Sequence, residues 1–208
     1  MPRQVDPDER RQLLAEAVWR VIRRDGLERA SVREVAREAG LATGSLRHYF
    51  ATQSELHQFA MRQAAERVAG RIEAVDLGQD PRQIVEQKIA EILPLDDERR
   101  TECEVWLAFI ARSQVDPALA ALRDETYELL GRAFGHMLAR LGATDPIEVE
   151  RIYALVDGLT VHGLIRPDLA PPATLRAVLR QHLDDLCRRV QQGHSASDLD
   201  TCRGRPGA

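Results

Sequence analysis

Residues 31–56 read SVREVAREAGLATGSLRHYFATQSEL. Ser31 followed three residues later by Glu34 is a capping-box pattern, which satisfies backbone N–H groups that a helix start leaves free. Val32, Val35, Ala36 and Ala39 recur at helical spacing and give this segment one apolar face. Gly40 supplies the left-handed stop. A second short segment, Thr43 to Phe50, places Leu46 and Phe50 four residues apart, on one inward face. Thr52 and Glu55 then repeat the capping pattern and open a long helix that reaches about Ala74. Two helices this short bury too little surface to stand alone. The stretch from about Asp8 to Asp25 supplies the missing partner, because Leu14, Ala17, Val18, Val21 and Ile22 share a face and Gly26 ends it. Helix, helix, glycine turn and helix in this order make a tri-helical unit whose last helix enters the major groove of DNA.

The outward positions of that last helix are polar or small. Arg47 can pair bidentately with guanine or clamp a phosphate. Thr43 and Ser45 are within reach of bases or backbone, and Gly44 lets the main chain approach closely. His48 and Tyr49 suit phosphates and sugars, and Arg33 and Thr52 suit phosphates at the flanks. Tyr49 reads equally well as partly buried in the domain. The net charge of −4 looks wrong for a DNA binder. Its distribution is more favourable: residues 1–50 hold ten arginines against eight acidic residues, and the acidic excess lies in the remainder.

Residue by residue, 31–56 resembles the DNA-binding region of the TetR family of bacterial regulators. Ala36, Ala39-Gly40, Gly44, Leu46, His48-Tyr49-Phe50 and Leu56 sit where that family's pattern expects them, and the resemblance covers about residues 8–60. It implies a homodimer that binds a palindromic operator in double-stranded DNA, and a repressor released by a small-molecule effector. Three positions depart from the pattern. Ala42 stands where the family usually has a Ser cap, which makes Thr43 the candidate cap and moves the helix start by one residue. Arg47 replaces a common aromatic. Gln53 replaces a Lys that often touches phosphate.

The rest of the chain reads as helices throughout, about nine in all, with no strand signals. A helix to about Leu93 follows the loop Leu77–Pro81, and another spans about Asp97 to Gln114. Asp116-Pro117 and Asp145-Pro146 are N-cap and first-turn pairs that start two more, ending near Leu141-Gly142 and Ile165. Pro167 to Pro172 reads as a connector, and the last helix follows it to about Gln192. This gives an all-α chain with a helix-turn-helix domain at 1–52, a ligand-binding and dimerisation domain at 53–192, and a disordered tail at 193–208.

In the final helix Leu175, Val178, Leu179, His182, Leu183 and Leu186 form an apolar stripe. The preceding helix adds Ile152, Val156, Leu159 and Gly163. The TetR resemblance implies a four-helix dimer interface from these two helices; an intrachain core stripe is the alternative, and both can hold because two faces of the preceding helix are apolar. His182 reads as a packed, hydrogen-bonded interface residue. For the effector, Cys103, Trp106, Leu107 and Ile110 share a helix face, the next helix adds Tyr127, Leu130, Phe134 and Met137, and Tyr153 follows. Plain core is the competing reading for each. VWLAFIARS (105–113) and ALVDGLTVHGLI (154–165) are similar to the C-terminal region of BetI-type TetR regulators, which respond to choline-like compounds. A choline cage needs aromatics, and they make up 4% of this chain, so the resemblance carries the subgroup's shape and not its ligand.

Other classes find less support. An enzyme needs convergent catalytic groups, yet there is no GxGxxG, no HExxH and no Ser-His-Asp set, and Glu102 and Glu104 point to different helix faces. No catalytic residue, cofactor or metal is expected. Three widely spaced cysteines fit neither structural zinc nor a disulfide framework. The N-terminus lacks a secretory h-region and no apolar run suits a bilayer, so a cytoplasmic protein without membrane contact is expected. A helical protein-interaction adaptor without specific DNA binding, and a TetR-like regulator indifferent to small ligands, both remain compatible with the sequence.

Overall fold

The computed structural model describes residues 7–75, 78 and 80–203. Among them it is helical without any strand. The elements are α1 (Pro7–Asp25), a 3-10 turn (Leu27–Arg29), α2 (Val32–Glu38), α3 (Thr43–Leu46), α4 (Gln53–Glu73), α5 (Pro81–Ala90), α6 (Asp97–Ser113), α7 (Pro117–Ala139), α8 (Pro146–Ile165) and α9 (Pro172–Arg203). The all-α expectation with nine α-helices holds.

Aspartate caps start most of the later helices. Asp80 accepts from the backbone N–H of Arg82 (3.1 Å) and Gln83 (3.3 Å), so α5 opens at Pro81, which the sequence reading left at the end of a loop. Asp96 accepts from Arg99 at 2.8 Å, Asp116 from Ala118 at 3.1 Å, and Asp145 from Ile147 at 2.9 Å. Proline then fits the first helical position of α7 and α8 because that position needs no N–H partner. α7 stops at Ala139, slightly before the expected Leu141-Gly142. α9 continues past Gln192 to Arg203, where a structureless tail was expected from 193. A helix needs no apolar face to continue its backbone hydrogen bonds, and Gly193 alone costs only about 1 kcal/mol. Residues 204–208 of that tail, and Leu77 and Gln79 of the expected loop, lie outside the described residues.

The chain divides into two compact units. The first contains residues 1–73 and 96–127, so the expected boundary between 52 and 53 falls inside it. Its core joins Leu14, Val18, Val21 and Ile22 of α1 to Val35 and Ala36 of α2, Leu46 and Phe50, Leu56 and Ala60 of α4, and Val105 and Phe109 of α6. The second contains residues 74–95 and 128–208. Its core joins Val85 and Ile89 of α5, Phe134 and Leu138 of α7, and the inward faces of α8 and α9.

That second core corrects one expectation. Ile152, Val156, Leu159, Gly163, Leu175, Leu179, Leu183 and Leu186 were expected at a subunit interface, but all are buried within their own chain. The stripe packs on α5 and α7 within the chain, which is the core alternative that the spacing allowed. Val178 is exposed, and half-buried His182 has its Nε2 buried without a hydrogen-bond partner among the described residues. Expected as hydrogen-bonded, that nitrogen is unsatisfied among the described residues.

Gly163 marks the tightest helix approach. A Cβ there would lie 2.7 Å from Leu175 Cδ1 and 2.8 Å from Pro94 Cγ. The proline ring cannot swing away, so Gly163→Ala is expected to lower stability by about 1–3 kcal/mol in denaturant unfolding. Gly70→Ala, inside α4, meets nothing within 4 Å. It is expected to leave stability unchanged or raise it by up to about 1 kcal/mol. Equal losses at the two sites would contradict this packing.

Candidate nucleic-acid interface

α2 begins at Ser31, whose Oγ accepts from the Glu34 N–H at 3.2 Å. Its end is set by Gly40, at φ +66°, which allows the Leu41 N–H to turn back onto the Ala36 carbonyl at 2.9 Å. α3 then starts without a side-chain cap: Ala42 holds the cap position through its backbone, and Ser45 N–H reaches the Ala42 carbonyl at 2.9 Å. Thr43, the expected cap, is the first helical residue instead, because extended φ/ψ falls on Ala42. Its hydroxyl is thereby left on the surface.

The predicted helix from Thr43 to Phe50 is regular only to Leu46. It continues as turns, with the N–H groups of Tyr49 and Phe50 both 2.9 Å from the Leu46 carbonyl. The two anchors behave as their spacing demands. Leu46 is fully buried, and Phe50 is buried with its ring 5.0 Å from that of Phe59 on α4. Everything between and before them faces out. Thr43, Gly44, Ser45, Arg47, His48 and Tyr49 are exposed, as are Arg33 and Thr52. Tyr49 is 50% exposed, which removes the buried alternative for it. A Cβ at Gly44 would meet nothing within 4 Å, so packing inside the chain does not require glycine there.

Charge is sorted over the same surface. Arg20 and Arg24 donate to Glu38 at 2.8 and 2.7 Å, Arg24 also holds Asp25, and Arg37 pairs with Glu34. Hydrogen bonds from Arg24, and next from Arg20, hold the Glu38 carboxyl below its ordinary range, and Arg24 does the same to Asp25. Among the described residues neither Arg33 nor Arg47 has a carboxylate partner, so their charge remains for phosphate or a base edge.

The start of α4 fixes this surface from behind. Thr52 Oγ1 accepts from the Glu55 N–H at 3.1 Å, and Glu55 accepts from the Ala51 N–H at 2.7 Å. A hydroxyl that accepts from its helix still has its own hydrogen to donate to a phosphate. Gln53 has a structural use that the sequence did not disclose: its side-chain amide donates to the Ala30 carbonyl and meets His57 Nε2 at 3.0 Å. The link ties α4 to the turn before α2.

The proposed effector residues fall into two groups. In the first unit, Trp106 lies 5.5 Å from Tyr127 and 6.0 Å from Phe109; Cys103 is buried, and Leu107 and Ile110 are half-buried. In the second, Phe134 meets Tyr153 edge-on at 4.9 Å, beside buried Met137 and half-buried Leu130. A cleft of about 510 Å³ at α5 and α9 is lined by Arg82, Glu86, Arg180 and Asp184, whose charges are already paired with one another. Among the described residues no three His, Cys, Asp or Glu side chains gather as a metal site would need. No described helix is long and apolar enough to cross a membrane.

A turn-linked helix pair with a buried back and a polar, arginine-bearing front defines a helix-turn-helix transcriptional regulator. Comparison with known proteins agrees. Residues 14–58 match the profile "Bacterial regulatory proteins, tetR family", and residues 81–188 match "BetI-type transcriptional repressor, C-terminal". The HTH-type transcriptional regulator PksA of Bacillus subtilis is 38% identical over 204 residues, covering 93% of this chain and all of that protein. A transcriptional regulator from Rhodococcus superposes with a TM-score of 0.76 at 32% identity, covering 88% of this chain and 96% of that one. The multidrug binding protein EbrR, solved with imidazole, gives 0.65 at 31% identity, covering 88% and 93%. The chain belongs to the TetR family.

Two outcomes follow from this geometry. Arg47→Ala should weaken specific DNA binding by about 1–3 kcal/mol in a direct titration if Arg47 reads a base; an unchanged affinity removes it from the contact set. The second concerns His57, which burial, reinforced by Arg112, holds below the usual histidine value of 6.5. Its stability contribution is intact above that unfolded value and is lost as pH falls below it. Between pH 7 and 5, wild type should lose stability faster than His57→Gln, by up to about 1.4 kcal/mol per pH unit. Parallel curves would contradict the assignment.

Proposed function

We propose that this regulator is a homodimeric repressor that leaves a palindromic operator when a small molecule binds its helical body. The observation that supports the DNA-binding half is that all eight expected contact residues are exposed, around an anchor of buried Leu46 and Phe50. Arg47 and the residues beside it read the major groove, with Arg33 and Thr52 on flanking phosphates.

The dimer half needs a different face from the one expected. On α8 the residues Ala154, Gly158, His162 and Ile165 recur at helical spacing and are exposed, Ile165 to 69%; Val178 on α9 is exposed as well. Ala154 and Gly158 are small enough for a partner helix to approach closely. We assign this stripe to the subunit contact. A dimer sets two recognition segments about 34–36 Å apart, one DNA turn, or a multiple of it. An effector that alters that distance alters operator affinity.

The effector half draws on relatives. EbrR, about 30% identical to this chain, is known in complexes with ethidium and with proflavin. The aromatic groups around Trp106 and Tyr127, and around Phe134 and Tyr153, are the parts of this chain suited to such ligands.

Selection of bound sequences from random duplex DNA at moderate salt tests the reading. Wild type should recover an inverted repeat. Gly158→Arg, which places a charge on the proposed subunit face, should recover isolated half-sites at lower affinity. Enrichment of no sequence by the folded wild type would overturn the DNA-binding reading, and an inverted repeat selected equally well by Gly158→Arg would overturn the assigned face.

A further inference from the structure

Three groups join the start of α4 to the turn before α2. Ala30 is fully buried, directly before the Ser31 cap of α2. A buried carbonyl needs a donor, and the Gln53 side-chain amide supplies one. The same amide nitrogen lies 3.0 Å from Nε2 of His57, one turn further along α4. His57 is 2% exposed. An amide NH2 has two hydrogens, so Gln53 can serve both groups at once. A carbonyl only accepts, which fixes the amide nitrogen of Gln53 as the atom facing Ala30. His57 Nε2 is then an acceptor as well, and the neutral ring carries its proton on Nδ1. Nδ1 is buried without a hydrogen-bond partner among the described residues, and the Leu27 backbone lies near the ring.

A second proton on this ring would sit on Nε2 and point at the Gln53 NH2, donor against donor. The pair survives only if the amide turns over and presents Oε1 to the ring. Turned over, it has no hydrogen for Ala30, and a buried carbonyl is left unpaired at the full cost of its desolvation. The charged groups that face His57 come from three neighbouring elements. Arg112 of α6 opposes a positive ring, whereas Glu28 of the 3-10 turn and Asp116 before α7 favour one. Glu28 is shared with Arg112 at 3.7 Å, and Asp116 accepts from the N–H groups of α7. Burial and Arg112 prevail, so the ring is neutral near pH 7.

We propose that Gln53 and His57 are positioning residues for the DNA-reading surface, and that a proton bound at His57 Nε2 breaks their hold on Ala30 and weakens operator binding. The inference rests on the DNA-binding half of the reading above and adds an input separate from any small molecule. The path is short. Ala30 precedes Ser31, whose hydroxyl caps α2, and Arg33 lies in the first turn of that helix. Gln53 follows Thr52 directly. Release of Ala30 therefore loosens α2 against α4 where the two flanking phosphate contacts are placed. Neither positioning residue needs to touch DNA: His57 is buried, and Gln53 uses its amide inside the fold. His48, exposed on the reading surface, responds to acid in the opposite sense, because a positive imidazole there attracts phosphate. Variants that share His48 cancel that contribution.

The test titrates the full chain against the duplex recovered by selection, at constant ionic strength. Affinity is read at pH 7 and at the lowest pH, down to 5, at which circular dichroism shows every protein folded. Over this interval wild type should lose about fivefold or more in affinity relative to His57→Gln, the low end of coupling between sites. Glutamine at 57 offers Gln53 an acceptor but takes up no proton. Gln53→Met, which has no amide, should bind more weakly than wild type already at pH 7, and its change with pH should match that of His57→Gln. Linkage is reciprocal, so the duplex should shift the imidazole NMR titration of wild-type His57 to lower pH. A histidine that only supports the fold would show no such shift. Parallel affinity curves for wild type and His57→Gln, or a His57 that titrates alike with and without duplex, would overturn the proposal. Should His57→Gln fail to fold, Gln53→Met decides: a pH response as large as that of wild type would overturn it. Absence of binding at both pH values would remove the DNA-binding reading and the proposal together, whereas parallel curves with tight binding remove the proposal alone.

Discussion

A four-residue helix has no stability of its own. α3 exists because Leu46 and Phe50 reach a core built by α1, α2, α4 and α6. Helix nucleation fixes several dihedral angles for each hydrogen bond gained, so a segment this short folds only where tertiary burial supplies the difference. Removing Leu46 from that core would leave the turns 47–49 with little to fix them. The exposed residues around the anchor then inherit its position, and this is how Thr43, Ser45 and Arg47 come to be held on one rigid surface.

The same core has a second consequence. It does not stop at the helix-turn-helix but continues through Leu56 and Ala60 into α4 and through Val105 and Phe109 into α6. The DNA-reading surface and the aromatic cluster at Trp106 therefore belong to one compact unit. Polar contacts follow that continuity: Gln53 reaches Ala30 in front, and Arg71 reaches Glu102 behind.

The sequence made the local features legible and the long-range ones not. Gly40, the Leu46–Phe50 spacing and the Asp-Pro helix starts are rules of adjacent residues, and the structure obeys them. Where two adjacent residues compete, the result is harder to read: Ala42 and Thr43 differ by a single position, and backbone conformation settled the cap in favour of the residue without a hydroxyl. The stripe of α9 was ambiguous for a deeper reason. Leu175, Leu179, Leu183 and Leu186 have the same spacing whether they meet α5 of their own chain or a helix of another. The pairing of Arg71 with Glu102 joins residues 31 apart, and no local pattern announces it. Gln53 was read as a lost phosphate contact, although its amide is used inside the fold.

Hydrogen exchange of the full chain, with and without the duplex recovered by selection, tests the central claim most directly. The account predicts that DNA slows exchange in the peptides covering 31–33 and 42–52, while the α9 stripe, already buried in its own chain, is unchanged. No slowing over 42–52 with the duplex bound would contradict it, because the DNA would then be held by some other surface.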